Sequence, residues 1–278
     1  MRDIQTYNQV IRKLRDFFQD ELGFVEVPAQ SRLSILAACE DPATITQFQM
    51  DKIPFPLPQT GQMWLEVELL KNPGLPGVFC STTSYRNEPN PIPGRHEKVF
   101  PMFEFEAPGN LDDLRKIEKR LLRCLGFDAP LSLQYEDMCQ KYDVKELKAE
   151  QELQMQGDFG NVLLLENFPH RTDPFWNMKH KGNGLYNKID VILHGFESIG
   201  SAERSSNVDE MRENFYTVSD GKYASLLFSA FGRERVEAEL ESYFALKFFP
   251  RFGAGIGVTR LARAMHLSKL LKDYSKAA

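Results

Sequence analysis

Ser84-Tyr-Arg-Asn-Glu88, a Pro- and Gly-rich run to Gly94, Arg95-His96 and then Phe100-Pro-Met-Phe-Glu-Phe-Glu106 follow one another along the chain. Both ends are β-prone and the middle holds the residues that interrupt strands, so the stretch reads as strand, loop, strand. Its functional side chains arrive in the order Arg, Glu, Arg, His, aromatic. A plain hairpin with solvated charges accounts for any one of them but poorly for the series. Activating a carboxylate with ATP needs cations on the α-phosphate, a flat apolar surface for adenine, and acceptors that hold the nucleotide or an amine. Two strands joined by a basic loop can supply all three.

Outward from this hairpin, extended signals recur at 24–27, 77–80, 101–106, 162–165 and 189–193, and helical periodicity at 4–22, 114–125, around 135–149, at 235–245 and from Thr259 onward. In the first helix Ile4, Tyr7, Ile11, Leu14, Phe18 and Leu22 make one stripe, and Gly23 offers a left-handed C-cap. Helices and strands alternate without regular βαβ order, which predicts an α+β fold. Pro and Gly cluster at 53–61, 72–77 and 89–94 in runs too short for linkers, so residues 1–278 are expected to form a single domain. The Ala277-Ala278 end is expected to fray.

Composition narrows the classes. At 278 residues and 42% hydrophobic content the chain can bury a full core. Its 34 Lys and Arg against 39 Asp and Glu leave a net charge of -5, with no broad footprint for nucleic acid or anionic membrane, so any RNA contact is local. Cys39, Cys80, Cys124 and Cys139 form no CxxC pair, which argues against a zinc knuckle or disulfide framework and for a reducing cytoplasm. His170, His180 and His194 have no metal-ligand spacing. No run approaches the roughly 18 apolar residues of a membrane span, and the charged N-terminus lacks the apolar core of a signal peptide.

Two further stretches carry chemistry. Phe252-Gly-Ala-Gly-Ile-Gly-Val-Thr-Arg260 runs into the apolar helix Leu261-Ala-Arg-Ala-Met-His-Leu267. Glycines let backbone approach a nucleotide, and an Arg on the first helical turn adds its charge to the helix N-terminus. A Rossmann turn is excluded, because no strand and acidic residue follow. Asp190-Val-Ile-Leu-His-Gly-Phe-Glu197 brings two carboxylates to one turn, the ligand type that Mg²⁺ takes beside phosphate oxygens, although such a pair taken alone is usually solvated.

In combination these stretches resemble motifs 2 and 3 of the class II aminoacyl-tRNA synthetases, in the asparaginyl and aspartyl branch. The resemblance implies a mostly antiparallel sheet flanked by helices and AMP-forming activation of an amino acid with ATP and Mg²⁺. It would place Arg86 between the α-phosphate and the substrate carboxylate, Glu88 on the adenine amino group, Phe100 against the adenine face, Arg95 and His96 on the outer phosphates, Arg260 on the γ-phosphate, and Asp190 and Glu197 on Mg²⁺. Gly200-Ser-Ala-Glu-Arg204 resembles the strand whose Arg reads the substrate side chain, which makes Arg204 the specificity candidate. Thr60-Gly-Gln-Met-Trp-Leu-Glu66 resembles the asparaginyl pattern, with Gln62 near the substrate amine. Leu65 stands where aspartyl enzymes carry Lys, and Glu104 matches the asparaginyl Glu. The substrate implied is asparagine, aspartate or a close analogue, a neutral amide ahead of a carboxylate. Val99, Thr259 and Glu203 depart from the residues usual at their positions.

Gly23-Phe-Val-Glu-Val-Pro28 resembles motif 1, its proline two places early and Gln30 in the usual proline position, which implies a homodimer through the 4–22 helix and the 24–27 strand. Because the chain starts on that helix, no anticodon-binding OB-fold is expected. Arg212, Arg233, Arg235, Lys247 and Arg251 are candidates to touch a tRNA acceptor stem, although such spacings usually mark a solvated helical face. The acceptor stays open: a tRNA, a carrier, a small amine, or ammonia, as in asparagine synthetases that share this core. A non-catalytic regulatory paralogue is the other class, opposed by retention of Arg86, Glu88, Phe100, Asp190, Glu197 and Arg260.

Overall fold

The computed structural model describes residues 3–28 and 33–272; Gln30, Ala277 and Ala278 lie outside them. Helix α1 (Ile4–Arg15) starts at Asp3, whose carboxylate accepts from the N–H groups of Gln5 and Thr6. It widens into a π-helical turn over Asp16–Glu21 and stops at Gly23, which takes φ +70°. Phe17 and Phe18 on that turn are both fully buried, and Phe18 packs on Phe79, Phe103 and Phe105. The aromatic end of the stripe is therefore packed into this chain's own core. Ile4 and Val25 are the exposed large hydrophobics of this segment.

After β1 (Val25–Glu26) come a hairpin of β2 (Gln47–Met50) and β3 (Ile53–Pro56), then α2 (Gln62–Lys71). Strands β4 (Val78–Tyr85) and β5 (Val99–Pro108) are the two arms of the opening stretch. Helix α3 (Leu111–Leu125) opens on an Asn110–Asp113 capping box and closes at left-handed Gly126. Strand β6 (Leu131–Gln134) leads into α4 (Tyr135–Tyr142) and α5 (Ala149–Phe159). The one helix expected around 135–149 is therefore two, because Asp143 turns left-handed at φ +52° and ends the first. Strands β7 (Val162–Pro169), β8 (His180–Gly182), β9 (Leu185–Leu193) and β10 (Phe196–Arg204) follow, then α6 (Val208–Thr217), α7 (Lys222–Phe231) and α8 (Arg233–Phe244). Last, β11 (Arg251–Gly257) runs directly into α9 (Val258–Leu267).

The strands make one nine-stranded sheet in the order β1-β4-β5-β11-β10-β9-β7-β6, with β8 attached to β9. Among the described residues parallel pairing is confined to β1–β4 and β6–β7, at the two edges. Side-chain alternation divides the sheet. Phe79, Phe103, Phe105, Phe252, Ala254 and Ile256 point to one face, where α1, α3 and α9 bury them in a common core. Cys80, Glu104, Glu106, Gly253 and Gly255 point to the other, and α2 seals part of it by packing Leu65 and Leu69 on Val78 and Cys80. Helices α6, α7 and α8 form a second core behind α2, around Trp64, Trp176 and Phe215.

Candidate active site

The second sheet face is polar because its registers align unusual residues. One row across five strands reads Cys80, Glu104, Gly255, Gly200, Asp190, and the next reads Val78, Glu106, Gly253, Ala202, Lys188. Gly253 is required there: a Cβ on it would lie 2.0 Å from Glu106 Oε1. Between β9 and β10 the turn is His194-Gly195, both at positive φ, as a two-residue hairpin of this hand demands. A β-bulge then follows, Glu197 facing Ile192 and Ile199 facing Val191, so that Glu197 shares the polar face with Gly200.

Over the glycine row opens a cavity of about 620 Å³. Gln62, Arg86, Glu88, Arg95, His96, Phe100, Glu104, Glu197 and Arg260 all line it, together with Glu40, Met102, Phe196 and Arg263. The Arg86 guanidinium is ion-paired with Glu40 and lies 5.9 Å from the Phe100 ring centroid. Arg260, on the first turn of α9, donates to the Glu197 carbonyl at 2.8 Å and stands 3.8 Å from its carboxylate. Arg95 bonds Glu152 at 2.6 Å, and Glu152 also accepts from the Glu197 N–H at 2.8 Å. The Phe196 ring meets two guanidiniums, Arg95 at 4.6 Å and Arg263 at 3.8 Å. Burial and then the like charge of Arg95 push Arg263 down from its usual pKa. Cations thus crowd one end of the cavity, while Glu40, Gln62 and Glu104 line its wall nearer α2.

A family model described as tRNA synthetases class II (D, K and N) matches residues 1–275. The chain belongs to this family. Asparaginyl-tRNA synthetase from Pyrococcus horikoshii complexed with asparaginyl-adenylate superposes at TM-score 0.75 with 20% identity, over 94% of this chain and 64% of that one. The Entamoeba histolytica asparaginyl-tRNA synthetase in complex with asparaginyl-adenylate gives 0.72 and 19%, over 94% and 63%. The aspartyl enzyme of Entamoeba histolytica gives 0.67 and 17%, over 93% and 54%. At these identities the likeness establishes the fold, and the chain spans less than two thirds of the length of each of the three. No curated protein matches the sequence.

Within this class II core, two residues read from the sequence sit beneath the cavity rather than in it. Arg204 is 2% exposed, bonds Glu106 Oε1 at 2.6 and 3.1 Å, and donates to the Gln62 side-chain oxygen Oε1 at 2.9 Å, so Gln62 separates it from the cavity. Arg251 Nε and the Tyr243 hydroxyl both reach Glu66 in the same buried layer. Glu104 accepts from Thr60, from Thr82 at 2.6 Å and from the Gly61 N–H at 2.7 Å. Burial raises its pKa against the pull of those donors, and burial likewise pushes Glu106 up to about 8 against the pull of Arg204. Leu65 faces the apolar layer, not the ligand space.

Asp190 is the second. Both its oxygens accept from Lys188 Nζ, at 2.7 and 2.6 Å, and it does not line the cavity, whereas Glu197 does. A Mg²⁺ site built on both carboxylates does not fit this arrangement. Among the described residues no group of three or more His, Cys, Asp or Glu is placed to hold a metal ion. Of the arginines considered for an acceptor stem, Arg251 is fully buried, Arg212 and Arg233 are ion-paired with Glu241 and Glu237, and Arg235 bonds the Pro54 carbonyl. No helix among the described residues is long and apolar enough to cross a membrane.

Sequence reasoning missed Glu40, Phe196 and Arg263. Arg263 could have been found, since it follows Arg260 by three residues on one helix and so shares its face. Glu40 sits in an aperiodic segment ahead of Pro42 and gave no signal.

Proposed function

We propose that this chain condenses ATP with asparagine, or a close analogue bearing a neutral side-chain carbonyl, into an enzyme-bound aminoacyl-adenylate with release of pyrophosphate. The observation that carries this reading is the Arg86–Glu40 ion pair beside the Phe100 ring in the cavity. An amino acid is itself a zwitterion. Inserted into the pair, its carboxylate takes Arg86 and its ammonium takes Glu40, and no charge is left unpaired. Arg86 then holds a carboxylate oxygen for attack on the α-phosphorus. As that oxygen–phosphorus bond forms, the bond to the β-phosphate oxygen breaks, and the charge on departing pyrophosphate meets Arg95, His96, Arg260 and Arg263. Phe100 offers the flat surface for adenine, with Glu88 as acceptor for its amino group.

Side-chain selection follows from hydrogen-bond direction. The Gln62 carbonyl is already committed to Arg204, so its amide N–H groups remain to donate to a ligand carbonyl. Glu104 has three donors of about four that a carboxylate can accept, leaving room for one N–H of an amide. Mg²⁺ enters this reading with the nucleotide, and a homodimer and a tRNA acceptor belong to it as expectations. ATP–pyrophosphate exchange across all amino acids tests it: asparagine is expected to exceed aspartate by about tenfold or more. Exchange with no amino acid or close analogue overturns it, and light scattering decides the dimer.

A further inference from the structure

We propose that Lys188 is a resident cation standing in for a carboxylate-bound divalent ion, so that Asp190 is withdrawn from metal binding and Glu197 alone faces an incoming metal. This rests on the adenylate-forming reading of the cavity for its purpose, though not for its test. Lys188 and Asp190 are two apart on β9 and therefore share the polar face. The Lys188 ammonium touches both oxygens of Asp190, at 2.7 and 2.6 Å, and sits 3.6 Å from the Phe168 ring centroid. Carboxylate and ring attract the same charge from two sides. Both partners are shielded, the side chains 20% and 10% exposed.

The acidic pair converges in the way a shared cation would need. From the Cβ position of Gly200, Glu197 Oε1 is 3.1 Å and Asp190 Oδ1 is 3.7 Å away. The Lys188 ammonium neutralises the Asp190 member of that pair as a compact point charge but offers no open coordination position. A metal reaching Asp190 would have to expel Lys188, breaking two charge-assisted hydrogen bonds and leaving the ammonium against Phe168 without its counter-ion. The chain therefore carries in its own strand the positive charge that a second metal contact would otherwise bring, one unit instead of two.

Mn²⁺ titrated into the wild type, K188M, D190N and the double variant, and followed by the electron paramagnetic resonance of free Mn²⁺, tests this directly. K188M is expected to bind Mn²⁺ alone at least about fivefold more tightly than wild type, and adding D190N to K188M to remove that gain. D190N by itself should leave wild-type Mn²⁺ binding unchanged. Mn²⁺ binding by the wild type that D190N weakens overturns the proposal, since the metal would then already displace Lys188. Equal binding by wild type and K188M overturns it as well. K188Q, compared by circular dichroism and thermal melting, guards against misfolding of K188M. Repeating the titration with a non-hydrolysable ATP analogue keeps the two readings apart: an analogue that binds none of the proteins counts against adenylate formation, while the metal-alone comparison still decides Lys188.

Discussion

Gln62 stands between Arg204 and the cavity, its carbonyl oxygen 2.9 Å from the guanidinium beneath. Cutting Gln62 back to alanine would leave Arg204 on Glu106 but open it to ligand. Q62A is expected to raise the KM for asparagine and to shift the aspartate-to-asparagine ratio in pyrophosphate exchange toward aspartate by about tenfold, the worth of one charge-assisted contact. An unchanged ratio would mean that Gln62 does not screen the arginine.

Glu40 and Arg86 should separate in their effects. R86A removes the cation from the reacting phosphate and is expected to lower exchange by about 10² or more. E40A frees that cation: ATP should bind as well or better, while the KM for amino acid rises by about tenfold, because the ammonium loses its partner. Isothermal titration of each ligand checks both arms. Parallel losses of ATP and amino acid affinity in E40A would defeat the exchange-of-partners mechanism.

Arg263 has no carboxylate partner among the described ion pairs and lies against Phe196 in the cavity, one turn beyond Arg260. R263M keeps the stacking stem and drops the charge. Nucleotide and pyrophosphate affinities are expected to fall by about tenfold with little change for the amino acid, as befits a contact to the outer phosphates. A selective loss of amino-acid affinity would place Arg263 elsewhere in the chemistry.

Glu118 sets a pH dependence of stability on the far side of the sheet. It is fully buried, accepts from the Ser201 hydroxyl at 2.7 Å, and has no partner for Oε2. Burial pushes its pKa up to about 8. Between about pH 4.5 and 8 the folded protein keeps a proton that the unfolded chain releases, so this group's contribution to stability falls as pH rises through that window. E118Q should be more stable than wild type at pH 9 by about 1–3 kcal/mol and nearly equal at pH 5. Urea unfolding at the two pH values measures this, and a difference that does not vary with pH refutes it.

The parts legible in the sequence were those with local causes. Strands β4 and β5 and the glycine strand β11 carry their own β-propensity and turn residues, and register alone brings Glu104 beside Gly255. Gly23 marked a helix end through the left-handed conformation that glycine tolerates. Helix α2 escaped notice because Met63, Trp64, Leu65, Glu66, Leu69 and Leu70 are all buried, so no polar face was left to reveal a period. The roles expected of Arg204 and Asp190 failed to anticipate competitors close in sequence to recognised residues. Glu106 is two residues past Glu104 and Lys188 two before Asp190, each on the same strand face, yet neither spacing says which acid a base will choose.

The buried layer under Gln62 also keeps a proton inventory. Glu66, Glu104 and Glu106 are three buried acids against the two buried guanidiniums of Arg204 and Arg251, and burial raises the proton affinity of both Glu104 and Glu106. An asparagine side chain enters without disturbing that balance. An aspartate side chain would add a fourth acid to it, and like-charge repulsion favours its entry together with a proton. Discrimination between the two ligands is therefore partly set by the solvent's proton activity, and aspartate binding should become more competitive as pH falls. Calorimetry in buffers of different ionisation enthalpy would register the uptake as a buffer-dependent heat for aspartate and none for asparagine.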